Sequence, residues 1–449
     1  MCMSDRLPRR RYLKSVSVAS FIALAGCATD DGEGEGEGDG AEQATETETG
    51  TAEAMDETEA TEGDSEQQGA IQMGSILPIT GSLEAYGSGM QAAVDLAVED
   101  INSAGGPLGR QIEIHHTDSQ TRPEAGVNRF DSLVTEQEII GFVGAASSGV
   151  STPIAERVGD EAVMQVSNAS TSPVLAELGY ADETKFFGRT APNDAQQGIV
   201  MGQVLNQYIE AESAAFLYVD NPYGEGLANT ASDAFDGETT DMVGYAQDAA
   251  DYTSTLEQVF TGDPDAVGFV GYPGNGVTIM QQWADGGFGG EWVFSEGLNS
   301  QSDFIEPLAD TLEGFYFASP QPEETDGVQR FEERMGDRNA LFAPHAYDAL
   351  FLQALAIHRA GEASGRAIAE NIRAVSRSEG ETVTVGQFDR AKELLDNDEA
   401  VNYEGASSPV NMNENLEPLN RFAILQIQDG GTETLETIPR SEFEGVLSE

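Results

Sequence analysis

Cysteine is almost missing from this chain. Of 449 residues only Cys2 and Cys27 are cysteines, and both precede the first regular apolar pattern. A disulfide framework or a cysteine-based metal site in the body is therefore excluded. Basic residues are also scarce: 22 Lys and Arg stand against 79 Asp and Glu, a formal net charge of −57. Lysine occurs only at Lys14, Lys185 and Lys392. Nucleic acid needs a basic face, so no nucleic-acid partner is expected. Histidine is limited to His115, His116, His345 and His358. The first two are neighbours on an expected strand and so point to opposite faces, while the other two sit at opposite ends of one expected helix. No Ser-His-Asp order, Walker loop or zincin motif is present, so nothing points to an enzyme, and neither a metal nor a cofactor is expected. The apolar stretch Val16 to Ala25 is about ten residues, short of the ~20 that a helix needs to cross ~30 Å of hydrocarbon.

What is present at the N-terminus reads as a targeting segment. Arg9-Arg10-Arg11-Tyr12-Leu13-Lys14 resembles the twin-arginine export pattern, with Pro8 where Ser or Thr is usual. Leu24-Ala25-Gly26-Cys27 resembles a lipobox. Together these imply a signal peptide over residues 1–26, cleavage before Cys27, lipidation of its thiol, and a lipid anchor at the outer face of the cytoplasmic membrane. Residues 27–70 then form the lipidated cysteine and an acidic tether. Positions 28–69 carry 16 acids and no Lys or Arg. Such a segment cannot bury enough apolar surface to offset its ordering entropy, and its like charges extend it. The acidity continues through the body. It serves solubility, or it marks a proteome adapted to molar salt, where the Debye length falls to ~3 Å and self-repulsion is screened.

From Ile71 onward strands and helices alternate. Ile71–Leu77 reads as a strand. Met90, Ala93, Val94, Ala97, Val98 and Ile101 follow on one helical face, closed by Gly105-Gly106-Pro107. Strands are expected at Gln111–Thr117, Ile139–Val143 and Ala162–Val166. A helix at Ala125–Thr135 and a second one, capped by Ser151 with Pro153 in its first turn, separate them. The pattern restarts near Ala195, with a helix over Gly198–Tyr208. Strands are then expected at Ala214–Val219, Thr239–Tyr245, Ala266–Val270, Glu291–Phe294 and Gly314–Ala318, and a late alternating one at Arg421–Ile427. This is the signature of α/β architecture, parallel sheets with helices on both faces. Parallel strands would bring the loops Gly144–Gly149 and Asn168–Pro173 to one sheet edge. Their N–H groups and the hydroxyls of Ser147, Ser148, Ser170 and Thr171 suit a carboxylate. Asn168-Ala169-Ser170 is a formal glycosylation sequon, discounted because a glycan there would fill the cleft.

The motif order PITGSLEAYGSGMQAAVDLAVEDINSAGG, GAASSGVSTP, SNASTSP, NPYGEGLA, GYPGNG, SEGLNS and YEGASSPVNMNEN resembles the type I periplasmic binding proteins of the branched-chain amino-acid family, receptors of ABC importers. The resemblance covers about residues 71–430. It implies two doubly wound, Rossmann-like lobes joined by a three-segment hinge. Lobe 1 would hold 71–191 and 320–408, and lobe 2 192–319 and 409–449, with crossings near Thr190–Asn193, Phe317–Pro322 and Glu404–Asn413. By the same resemblance Ser148, with Ser147, takes a ligand carboxylate. Ala169 offers a carbonyl to the ammonium, Thr171 serves both groups, and Ser170 lies between them. Tyr86 forms an aromatic wall in the first loop. Tyr223 and Tyr272 descend from the second lobe, and Glu296 faces the ammonium. The family's disulfide at the first hydroxyl loop has no counterpart, since Asp118 and Ser147 stand in that neighbourhood. The implied function is a monomeric receptor that hands an amino acid to a permease with ATPase subunits. An amide or urea receptor is the alternative. A sensing domain for signalling is disfavoured because no transmembrane or signalling segment follows the body.

Overall fold

The computed structural model describes residues 69–377 and 379–447. The expected signal peptide, the lipidation of Cys27 and nearly all of the acidic tether lie outside the described residues. No helix among the described residues is long and apolar enough to cross a membrane.

Two sheets organise the chain. The first is five-stranded, in the order 112–118, 71–77, 141–144, 164–167, 187–189, with every pairing parallel. The second has seven strands. Its parallel part runs 238–245, 213–219, 266–270, 291–295, 316–320, and two antiparallel strands, 422–428 and 431–438, extend it. Counting parallel strands along the chain, both sheets have the order 2-1-3-4-5. This doubly wound order reverses direction between strands 1 and 3, where the following loops part and leave a crevice at the carboxyl ends. The chain passes between the sheets after Arg189, after Pro320, and through residues 405–421.

The central strands are buried on both faces, as helices on either side require. Gly141–Gly144, Met164–Ser167 and Ala266–Val270 have no exposed residue. Behind the first sheet the helix Ala343–Ala360 is buried without a break from Ala343 to Ile357 and packs on the helix Glu84–Ser103. The core of the second sheet is aromatic. Both tryptophans, Trp283 and Trp292, meet edge-on at 5.6 Å between ring centroids, and Trp292 continues to Phe269 and Phe294. Such pairs add directional contact to ordinary burial.

Several elements differ from the pattern reading, each for a local reason. The helix after the third strand begins at Ser148, so Ser147 is its cap and Ser151 and Pro153 lie inside it. Ser147 is extended, and its carbonyl already receives the N–H groups of Val150 and Ser151. The expected helix Gly198–Tyr208 runs from Asp194 to Gln203 and then widens into a π turn over Val204–Tyr208. The late strand, Phe422–Gln428, does not alternate. Its residues Phe422 to Leu425 are all buried, so both faces of the sheet are covered at that end of the strand. The polar edge strand Gly431–Ile438 and the short pair Glu381–Thr384 with Val401–Glu404 carry too little apolar pattern to be seen beforehand. His115 and His116 do part to different partners, Gln72 on one side and Ser75 and Asp95 on the other.

The crossing at 405–421 is anchored by Asp348, which is fully buried in the helix Ala343–Ala360. Its carboxylate accepts from the Tyr403 hydroxyl at 2.6 Å, the Ala406 and Ser407 N–H groups at 2.7 and 2.8 Å, and the Ser407 hydroxyl at 2.7 Å. Burial pushes its pKa up to about 6, against the pull of those donors. Asp348→Ala leaves three or more buried donors unpaired and should destabilise the protein by about 3 kcal/mol or more. A denaturation midpoint corresponding to less than ~1 kcal/mol of loss would show that the anchor is dispensable.

Candidate functional site

The switch points of the two sheets face one cavity. Its volume is about 330 Å³. In the first sheet, the segments after strands 1, 3 and 4 supply Leu83 and Tyr86, Ala146 and Ser148, and Ala169. In the second sheet, the corresponding segments supply Tyr223, Tyr272, and Glu296 with Gly297. Met90, Leu341 and Phe342 complete an apolar wall.

The first lobe's side of the wall is rich in donors. Strand 3 ends at Gly144, whose φ of +123° suits glycine, and an added Cβ would lie 2.3 Å from the Ile76 carbonyl. The chain then turns into the helix Ser148–Glu161, with Ser148 at its first position. Leading N–H groups of a helix have no partner within it and favour negative charge. The Ser172 N–H donates into Ser148 Oγ at 3.2 Å, which leaves the Ser148 hydroxyl proton free for an acceptor in the cavity.

The second lobe brings an acid to the wall. Glu296 is 2% exposed; its Oε2 accepts from Gln197 Nε2 at 2.6 Å and from the Tyr223 hydroxyl at 3.0 Å. Burial raises its pKa to about 7, while the Gln197 and Tyr223 bonds pull it down. Asp194 opens the helix that Asn193 caps and is fully buried; its carboxylate makes no hydrogen bond of regular geometry, with the Thr171 hydroxyl near enough to act on it weakly. Burial first, and then the charge of Glu296, raise its pKa well above the usual range. The Thr171 hydroxyl and Arg189 pull it the other way. Among the described residues neither acid forms a salt bridge. Two interacting buried acids without a cation form an arrangement that a cationic group would complete.

The aromatic side of the cavity spans the two lobes. Tyr223 and Tyr272 stack at 5.5 Å with ring planes 8° apart. The Tyr272 hydroxyl meets Ser147 Oγ at 3.1 Å and receives Asn221 Nδ2 at 3.2 Å. Tyr86 donates to the Gly297 carbonyl at 3.1 Å, and Ser172 to that of Pro222 at 2.7 Å. Phe342 holds a left-handed φ of +60°, uncommon for an aromatic residue and the kind of local strain found at ligand sites.

A family model described as periplasmic binding protein matches residues 70–413. The chain belongs to that family. Over 379 residues, 83% of this chain and 91% of the relative, it is 33% identical to BasB, the chemotactic signal transduction system substrate-binding protein of Halobacterium salinarum. It is 27% identical over 318 residues, 66% of this chain and 80% of the relative, to the leucine-, isoleucine-, valine-, threonine- and alanine-binding protein of Pseudomonas aeruginosa. Among solved structures, the leucine-binding protein LivK of Thermotoga maritima shares the fold with a TM-score of 0.70 at 22% identity, covering 83% of this chain and 100% of that one. The relatives are solute-binding proteins, and this periplasmic binding protein is a receptor of the same kind rather than an enzyme.

Of the residues singled out from the sequence, Tyr86, Ser148, Ala169, Tyr223, Tyr272 and Glu296 line the cavity. Tyr86 does so from the first turn of the helix Glu84–Ser103 rather than from the loop. Three others do not reach the wall. Ser147 is turned to Tyr272. Ser170 spends its hydroxyl on the Ala145 and Ala146 carbonyls and on Ser151. Thr171 lies buried beside Asp194. Asn168 is fully buried, which agrees with discounting the sequon. Asp194, Gln197, Leu83, Met90, Ala146, Leu341 and Phe342 went unnoticed. In sequence Asn193-Asp194 reads as an ordinary helix start, and the apolar residues read as core.

The raised pKa of Glu296 has a definite sign. Between its usual range and about 7 the folded protein holds more protons than the unfolded one, so this carboxyl lowers stability as pH rises through that interval. In the ligand-free protein, Glu296→Gln should therefore melt progressively higher relative to wild type as pH is raised from about 4.5 to about 7. A melting difference that is flat with pH would show that Glu296 is ionised throughout.

Proposed function

We propose that this chain is an extracytoplasmic receptor for an α-amino acid with an apolar side chain. The observation that carries the reading is the unlike chemistry of the cavity wall: a helix N-terminus and the Ser148 hydroxyl from one lobe, and the buried Glu296 from the other, with Asp194 buried off the wall and interacting with Glu296 by charge. A zwitterion supplies what each set of groups lacks, a carboxylate for the donors and an ammonium for the acids. Ser147, Ala169, Ser170 and Thr171 support the carboxylate pole. The stacked Tyr223 and Tyr272, with Tyr86, cover the ligand. Leu83, Met90, Leu341 and Phe342 offer the side chain an apolar surface, which favours a branched aliphatic group over urea or a small amide. The name of the Pseudomonas relative agrees with that choice.

Ligand held by both lobes biases the closed state about the three crossings, and the closed form is what a partner would recognise. The partner is an ABC permease with its ATPases, or a chemotaxis transducer. The second reading gains weight from BasB, the relative at 33% identity, whose name places it in chemotactic signal transduction. Twin-arginine export and a lipid on Cys27 would hold either form at the outer membrane face.

Three ligands of one shape test the polarity. Titration calorimetry should show leucine binding, with 4-methylpentanoate and leucinamide each at least about a hundredfold weaker, because each leaves one pole unpaired. Glu296→Ala and Asp194→Ala should abolish the preference for leucine over 4-methylpentanoate. Equal affinity for all three ligands would remove the zwitterion from the account. Deleting the gene separates the partners, since loss of leucine uptake points to a permease and loss of taxis toward leucine with uptake intact points to a transducer.

A further inference from the structure

The most elaborate charged contact in the molecule touches no part of the cavity. Arg189, the last residue of the first sheet's edge strand, is fully buried. Its Nε donates to Glu417 Oε2 at 2.8 Å, and its Nη2 reaches the same oxygen. Its Nη1 donates to the Ser170 carbonyl at 3.1 Å and the Ser172 carbonyl at 2.9 Å, the two that flank Thr171. The Arg189 N–H donates to the Leu416 carbonyl at 2.9 Å. Glu417, 2% exposed, also accepts from Asn193 Nδ2 at 3.2 Å, and Asn193 caps the helix that begins with Asp194. The Asp194 N–H in turn donates to the Thr171 carbonyl at 2.9 Å.

One ion pair thus joins three segments: the loop Asn168–Pro173, the first crossing with Asp194, and the third crossing at 405–421. Burying two charges is unfavourable, and apolar residues of the same volume often serve stability as well or better. The geometry argues for something that apolar residues cannot do. The planar guanidinium fixes two peptide carbonyls and a carboxylate at once, which a lysine cannot reproduce. The guanidinium holds the peptide units 170–171 and 172–173, and the Asp194 N–H on the Thr171 carbonyl holds the unit between them, so the course of the loop through Thr171 is fixed.

We propose that Arg189 and Glu417 are positioning residues: they aim the loop Asn168–Pro173 at the cavity and tie it to the crossing that carries lobe motion, so that they set ligand affinity without touching ligand. This rests on the reading of the cavity as an amino-acid site. The ligand's carboxylate end would find its partners preplaced, and closure about the third crossing would move with the loop rather than against it.

The test uses two variants and three readouts. Arg189→Lys keeps the charge and loses the fork. Arg189→Met combined with Glu417→Leu replaces the pair with apolar volume. Leucine affinity, amide hydrogen exchange over residues 168–173, and the melting temperature are measured on each. The expected result is affinity lower by about tenfold or more in both variants, with faster exchange in the loop, even where the double variant melts as high as wild type. Affinity within about twofold of wild type and unchanged loop exchange would leave the pair a structural contact only and overturn the proposal. If the double variant does not fold, Arg189→Lys decides by the same two readouts. If wild type itself binds no leucine, the amino-acid reading falls, and loop exchange in the variants still decides whether the pair holds the loop.

Discussion

Asp194 and Glu296 are two buried carboxyl groups near enough for the charge of Glu296 to raise the pKa of Asp194, and among the described residues neither forms a salt bridge. Isolated buried charge is costly enough that such groups normally take up protons or acquire partners. Here the partners are partial: Gln197 and Tyr223 for Glu296, and the start of a helix for Asp194. An acid in the first turn of a helix is favoured by the helix dipole, which accounts for Asp194 being tolerated without accounting for its lack of a regular hydrogen bond. Such acids hold their protons in the ligand-free protein or give them up beside a cationic group. The helix Ser148–Glu161 has a preference of the opposite sign at its N-terminus. Holding both at one cavity is the constraint that the rest of the architecture serves.

That architecture is a duplicated one. Both sheets wind in the order 2-1-3-4-5, and both contribute to the cavity from the segments after strands 1, 3 and 4. The crevice follows from topology, since loops on either side of a switch point leave in opposite directions. The chemistry follows from which lobe carries which loop. Small hydroxyl residues and helix N–H groups come from the first lobe. Tyr223, Tyr272 and Glu296 come from the second, with Asp194 just past the first crossing, and Tyr86 comes from the first. A ligand with two unlike ends would be shared between the lobes, and that sharing would couple binding to closure. The Asp348 anchor and the Arg189–Glu417 pair lie at the third crossing, so two buried polar networks sit where the lobes are joined.

Much of the fold was legible because alternation of strand and helix carries its own topology. Parallel strands joined by helices leave few choices once handedness is fixed. The later strands were less so, as Phe422–Gln428 is buried on both faces and Gly431–Ile438 is polar. At the site Tyr223, Tyr272 and Glu296 were reached through the family resemblance, since a turn tyrosine or one acid among 79 carries no signal of its own. The hydroxyls were legible only as a group. Whether Ser147 or Ser148 faces the cavity depends on where one helix begins, and a shift of one residue turns a side chain by about 100°. Asp194 was hidden by its own neighbour, because Asn-Asp before a helical pattern is how surface helices also begin. Its burial is a tertiary fact, set by Thr171 and by the way the first crossing tucks under the ligand loop.

The central claim is an orientation: ammonium toward Asp194 and Glu296, carboxylate toward Ser148. A crystal structure of the protein grown with leucine tests it most directly. The account predicts leucine in the cavity between the lobes, its nitrogen within hydrogen-bonding distance of the Glu296 or Asp194 carboxylate, and its carboxylate on the Ser148 N–H and hydroxyl. Leucine bound with the two ends reversed, or bound outside this cavity, would contradict it.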